Sequence, residues 1–311
     1  MPTRNEILEE IIPNPPTNQD IVRRKYLKDL SDYTHRNTIL YATAFDTTKA
    51  QLHGMPSSLT SIVLEDIRAF MSAIQGLKGD NLDLILHSPG GSLETTEQLV
   101  KYLRAKFKHI RAIIPQSAMS AATMLACACD EIIMGKHSAI GPIDPQMLIH
   151  NADGAFSIPA QSILDEFEQA KIEVTTEPKL AALWINRINK YPHGFFKICR
   201  DTVDLAIEKT QEWLDEYMFK NSTITPKPGQ EIASWLGKTG NHKTHGRPIN
   251  KQVASDLGLK VIGLESDQRL QELVLSIFHS TIITFDITSC VKLVENQEGK
   301  GYYSVIQAAA K

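Results

Sequence analysis

Cysteine is scarce in this sequence: four in 311 residues, at Cys127, Cys129, Cys199 and Cys290. Cys127 and Cys129 stand too close together for an easy structural bridge. A lone C-x-C is also a poor metal signature. All four are expected as reduced thiols of a cytoplasmic protein, with no metal or other cofactor. Excess charge is lacking too. The net charge is -3 and no basic run is present, so no nucleic-acid partner is expected. No window approaches 18 uninterrupted apolar residues, so no membrane span is expected. The first twenty residues, MPTRNEILEEIIPNPPTNQD, lack the apolar centre of a signal peptide, and no N-terminal anchor is expected. Internal repeats and low-complexity tracts are missing as well.

What remains is ordinary for a globular chain: 42% hydrophobic and 22% charged residues, with enough length to bury a real core. Residues 1–36 read as an N-terminal arm. The stretch 14–20 (NPPTNQD) resists regular helix, because proline removes donors and restricts the residue before it. A strand follows at 38–45 (TILYATAF). Then comes helical spacing at 61–74, with Val63, Ile67, Phe70 and Ile74 on one face. Strand 82–87 (LDLILH) runs into Ser88-Pro89-Gly90-Gly91. Ser92 can cap the next helix, and strand 109–115 follows it. This βαβ rhythm implies a parallel sheet with right-handed crossovers. It continues with a helix from Ser120, a strand at 131–134 (EIIM) and a turn-rich loop at 138–146. From 159 to about 235 the chain reads as helices. A short helix at 250–257 stops at Gly258, and a strand is expected at 260–264 (KVIGL). A helix at 267–278 is then expected, followed by strands at 281–286, 290–294 and 302–306.

Ser120 sits where an apolar strand gives way to the alanine-rich stretch AATMLACA. A serine there is often only a helix cap. It can also be a nucleophile, since a strand-to-helix turn exposes the side chain and aims unpaired N–H groups at the same point. A serine hydroxyl needs a base, and it needs donors for the oxyanion that forms after attack. Ala121 offers a local N–H. The Ser88-Pro-Gly-Gly turn, at the end of the preceding strand, offers Gly90 or Gly91, where glycine permits close backbone approach. The turn lacks the Lys-Ser/Thr ending of a P-loop.

The segments LILHSPGG (84–91), PQSAMSAATM (115–124), ACDEIIM (128–134) and GPIDPQ (141–146) resemble the serine dehydrogenase proteinase family. That family is related to the SppA signal peptide peptidases and belongs to the wider Clp protease and crotonase superfold. PAQSIL (159–164) and THGRPINKQVASDLGLKV (244–261) extend the resemblance to residues 38–265. It implies an α/β fold: a ClpP/crotonase-like spiral of ββα units with a helical second half and a small β-rich C-terminal extension. The peptidase domain is placed at 37–265 and the extension at 266–311. The resemblance also implies a serine peptidase acting on peptide or protein substrates, assembled as a homo-oligomer. Ser120 would be the nucleophile, with Gly90, Gly91 and Ala121 as the oxyanion hole. Ala121 and Ala122 stand where relatives commonly carry glycine.

The base stays open between two readings. SppA-like enzymes use a lysine downstream of the serine, which points to Lys171 and next to Lys179. A lysine base must be buried to lose its proton. Clp proteases instead use a histidine on the strand after the nucleophile and an aspartate just before the last short helix. Here the first slot holds Asp144 and the second holds His242 and His245, so His245 as base with Asp144 orienting it is the alternative. His242 and His245 form H-x-x-H without a convincing third zinc ligand. His87, before the glycine turn, is expected to cap the strand end. Two other functions remain: an inactive binding platform on the same fold, and a crotonase-like acyl-CoA enzyme that would not need Ser120.

Overall fold

The structure is a computed structural model. It describes residues 1–12, 18–48, 56–151 and 154–306, with backbone alone at 150 and 151. Helices α1 (Arg4–Ile11) and α2 (Asn18–Thr34) lead into strand β1 (Asn37–Thr43), helix α3 (Glu65–Ile74) and strand β2 (Asn81–His87). Then come α4 (Leu93–Lys106), β3 (His109–Ile114), β4 (Ser117–Ala118), α5 (Ala121–Cys127), β5 (Glu131–Met134) and β6 (Ala139–Ile140). A hairpin of β7 (Gln146–Asn151) and β8 (Gly154–Pro159) precedes α6 (Ala160–Thr176), α7 (Ala181–Ile188) and α8 (Phe195–Trp213). The chain continues through α9 (Gly229–Gly237), α10 (Thr239–His242), β9 (Ile249–Asn250), α11 (Lys251–Asp256) and β10 (Val261–Gly263). It ends with α12 (Gln268–Ile287), β11 (Cys290–Asn296) and β12 (Gly301–Val305).

The main sheet has the order β10-β5-β3-β2-β1-β11-β12. Its first five strands are parallel, as the βαβ rhythm predicts. The register sets Ile39 beside Leu84, Leu84 beside Ala112 and Ala112 beside Ile132. These residues face one core, shared with α3, α4 and α5. Their neighbours Leu40, Ile85, Ile113 and Ile133 face a second core, built by α2 and α12. Burial on both faces explains why these strands read as continuous apolar runs. A second, small sheet has the order β4-β6-β9, with β4 following the carboxyl end of β3 and β6 that of β5. Single bridges join Ser88 to Ala118 and Ile62 to Gly91.

Several expectations change. Residues 281–286, read as a strand, lie inside α12. The terminal strands are no separate extension, because β11 pairs with β1 and β12 with β11, which continues the main sheet. The N-terminal arm is two helices, and α2 buries Val22, Leu27 and Leu30. Helix α2 begins at Asn18, inside the stretch 14–20 read as non-helical; residues 14–17 lie outside the described residues. The β7–β8 hairpin was not foreseen. Helix α12 has the length and hydropathy of a membrane span, but 67% of that window is buried within the fold, which marks it as a core helix.

Candidate active site

Strand β3 delivers the chain to the carboxyl edge of the sheet, and β4 turns it back at Ser120. The backbone there has φ 52° and ψ -123°, and the hydroxyl makes no capping bond to α5. The cap reading therefore fails. A non-glycine residue at positive φ is uncommon and costs roughly 1–3 kcal/mol, so the fold holds this side chain in place against strain. Ser120 is half-buried, and every residue of α5 behind it is buried.

The glycine turn presses against it. A Cβ on Gly90 (φ +95°) would lie 2.6 Å from Met119 O, 2.8 Å from Ala121 N and 2.8 Å from Ser120 Cβ. Only glycine fits. Ser88 N–H donates to Ser117 O at 3.0 Å and Met119 N–H to Ser88 O at 2.9 Å, which ties the end of β2 to β4. Gly90 N–H donates to Ser88 Oγ at 3.2 Å. The N–H groups of Gly91 and Ala121 have no hydrogen-bond partner among the described residues. Gly91, rather than Gly90, is the free donor of the turn.

Asp144 and His245, 101 residues apart in sequence, come together. His245 Nδ1 lies 2.8 Å from Asp144 Oδ1. A carboxylate only accepts, so Nδ1–H donates, and in the neutral imidazole Nε2 is left as the acceptor. Asp144 is buried, and its Oδ2 accepts from Gln146 Nε2 at 2.9 Å. Gln146 was missed from sequence; nothing in GPIDPQ marks it as the second partner. The loop carrying Asp144 packs on the serine turn: a Cβ on Gly141 would meet Met119 Cε at 2.6 Å, and Gly141 N–H donates to Thr123 Oγ1 at 2.9 Å.

Lys171 sits elsewhere. It is exposed on α6, with Nζ 2.7 Å from Glu168 Oε2. Lys179 is exposed as well. In this chain neither has the burial that a lysine base requires. His242 is buried against the Trp235 ring and lies 2.9 Å from Trp235 O. His87 is fully buried between the rings of Phe45 and Phe278, against Asp46 Oδ1 at 3.2 Å, rather than capping a strand end. The four thiols are buried; burial pushes Cys127 up and Cys129 up to about 12, so neither is a ready nucleophile.

Comparison with known proteins gives the family of the chain. The uncharacterized protein MJ0137 of Methanocaldococcus jannaschii is 31% identical over 244 residues, covering 78% of this chain and 73% of that protein. MJ1495 of the same organism, also uncharacterized, is 29% identical over 203 residues, covering 64% and 59%. Among solved structures, a membrane-bound stomatin-specific protease overlaps 68% of this chain and 79% of its own, at 13% identity and a TM-score of 0.39. An enoyl-CoA hydratase of Mycobacterium avium subsp. paratuberculosis overlaps 58% and 88%, at 15% identity and a TM-score of 0.23. The sequence profile of one family matches residues 11–280, nearly the whole chain, and on that match the chain belongs to the ClpP-like SDH-type serine proteinases.

Proposed function

We propose that this chain hydrolyses peptide bonds through an acyl-enzyme on Ser120, with His245 as base and Asp144 as its orienting partner. Ser120 Oγ attacks the scissile carbonyl carbon while His245 Nε2 takes its proton. The oxyanion is received by the N–H groups of Gly91 and Ala121. Collapse breaks the C–N bond, and the leaving amine takes the proton from His245. Water then repeats the sequence on the ester and frees the carboxylate. The observation that carries this reading is the strained Ser120 packed against the Gly90–Gly91 turn, with the N–H groups of Gly91 and Ala121 unpartnered among the described residues. The short His245–Asp144 contact supports the choice of base.

A fluorophosphonate probe tests it. The protein is expected to label at Ser120, as mapped by mass spectrometry, and Ser120→Ala is expected not to label. His245→Ala should slow labelling by about 10²–10⁴-fold, the usual worth of a general base. Lys171→Ala should leave the rate little changed. Labelling that survives His245→Ala and vanishes in Lys171→Ala would move the base to the lysine. A wild-type protein that never labels would overturn the nucleophile.

We also infer a homo-oligomer. Ile172, Leu183, Ile185 and Ile198, all on α6, α7 and α8, are more than half exposed. Such a set suits contact with a second copy. Light scattering is expected to give a mass above the 34.7 kDa of one chain. A monomer at micromolar concentration would refute it.

A further inference from the structure

The Gly90–Gly91 turn is held from behind as well as from the serine side. Ile62 runs along it. Ile62 N–H donates to Gly90 O at 2.7 Å, and Ser92 N–H donates to Ile62 O at 2.9 Å. A Cβ on Gly91 would lie 2.3 Å from Ile62 O and 2.4 Å from Ile62 N, so the two backbones touch. The residues on either side of Ile62 are tied to a buried ion pair. Lys292 Nζ donates to Ser61 O at 2.7 Å. Val63 N–H donates to Asp66 Oδ2 at 3.0 Å. The lysine itself lies 2.9 and 3.0 Å from the two oxygens of Asp66. Tyr41 OH adds a bond to Asp66 Oδ2 at 2.8 Å.

Lys292 and Asp66 are 3% and 1% exposed. A buried pair of this kind is poor evidence of a contribution to stability, because apolar residues of similar volume often serve as well. Its geometry here is directed: the ammonium reaches one carbonyl and one carboxylate, and both contacts fix the segment 61–63. Lys292 lies on β11, beyond residue 280 where the family match ends.

We infer that Lys292, through Asp66, is a positioning residue for the active site: it holds Ile62 against Gly91 and so sets where the Gly91 N–H points. The inference rests on the proposed role of Gly91 in receiving the oxyanion. Lys292 touches no reacting atom.

Lys292→Met alone would strand a buried carboxylate, so the test uses the double variant Lys292→Met with Asp66→Asn, which keeps the volume and removes both charges. Amide hydrogen exchange is read at Ile62 and Ser92. It is expected to quicken at least tenfold there, while β3 and α12 keep their protection. On a peptide substrate kcat is expected to fall about 10²-fold with KM little changed, the usual cost of a misplaced reacting group. Unchanged exchange at Ile62 and Ser92 would overturn the inference. So would exchange that quickens throughout the chain, which marks a general stabilising role. If the wild-type protein never labels at Ser120, the peptidase reading fails, and the exchange result alone still decides whether Lys292 holds the turn.

Discussion

Ser120→Ala is expected to lower kcat by on the order of 10⁶-fold, the loss seen when a serine nucleophile acting as part of a unit is removed. The residual rate would come from the Gly91 and Ala121 donors and from binding. Stability offers a second readout at the same position. Ser120 is held at φ 52° and ψ -123°, a conformation that any Cβ strains. Alanine keeps that Cβ and should leave stability near the wild-type value. Ser120→Gly removes it, and is expected to be equally inactive yet more stable by about 1 kcal/mol, once the entropy cost of glycine is set against the relieved strain. Urea unfolding of the three proteins checks this. A glycine variant no more stable than the alanine variant would mean that the turn stores no strain. Retained turnover in either variant would remove Ser120 from the chemistry.

Much of this site was legible in the sequence, for local reasons. The strand-to-helix join at Ser120 and the Pro-Gly-Gly turn are short-range features, and the βαβ spacing places them side by side. The five parallel strands follow from apolar runs separated by helical spacing. The base was not legible to the same degree, because Asp144 and His245 meet through tertiary packing across 101 residues. Lys171 looked as good on sequence, and its exposure beside Glu168, with the His245–Asp144 contact, favours the histidine as the proposed base. Helix α12 was misread from 281 onward for a different reason. TIITFD is rich in β-branched residues, which favour strands on a propensity scale. In the fold Thr281, Ile283, Thr284 and Phe285 are buried, and the hydroxyls of Ser280, Thr281 and Thr284 donate to carbonyls one turn back, which satisfies them within a helix. Tertiary burial outweighs the local preference.

The other large effect is expected at Glu295, on the same strand as Lys292 but in the opposite core. Strand β11 alternates: Val294 packs with the site-side core, while Leu293 packs with the core of α2 and α12. Glu295 is fully buried on that second side. It accepts from Arg23 Nε at 2.8 Å, from Arg24 Nε at 2.6 Å and from Tyr303 OH. Arg23 is also fully buried and reaches Thr284 Oγ1 at 2.8 Å and Asp20 Oδ1 at 2.7 Å. Glu295 and Arg23 together thus tie α2 and α12 to β11 and β12. Glu295→Gln leaves the buried Arg23 with only the partly exposed Asp20 as counter-charge, and is expected to cost about 3–5 kcal/mol. Burial alone would raise the carboxyl's pKa, but the Arg23 charge and the bonds from Tyr303, Arg24 and Arg23 together hold it below the ordinary value. A carboxylate depressed in the fold stabilises above its unfolded pKa, about 4.3 for glutamate, and loses that contribution as pH falls through the lower folded value. Urea titrations at neutral and acid pH should therefore show a large gap between wild type and Glu295→Gln at pH 7 that narrows below about pH 4. Pairing Glu295→Leu with Arg23→Met should recover much of the loss, since apolar packing replaces both charges at once. A loss under about 1 kcal/mol for Glu295→Gln, within the range of a surface pair, would show that Asp20 and Thr284 suffice to hold Arg23 without Glu295.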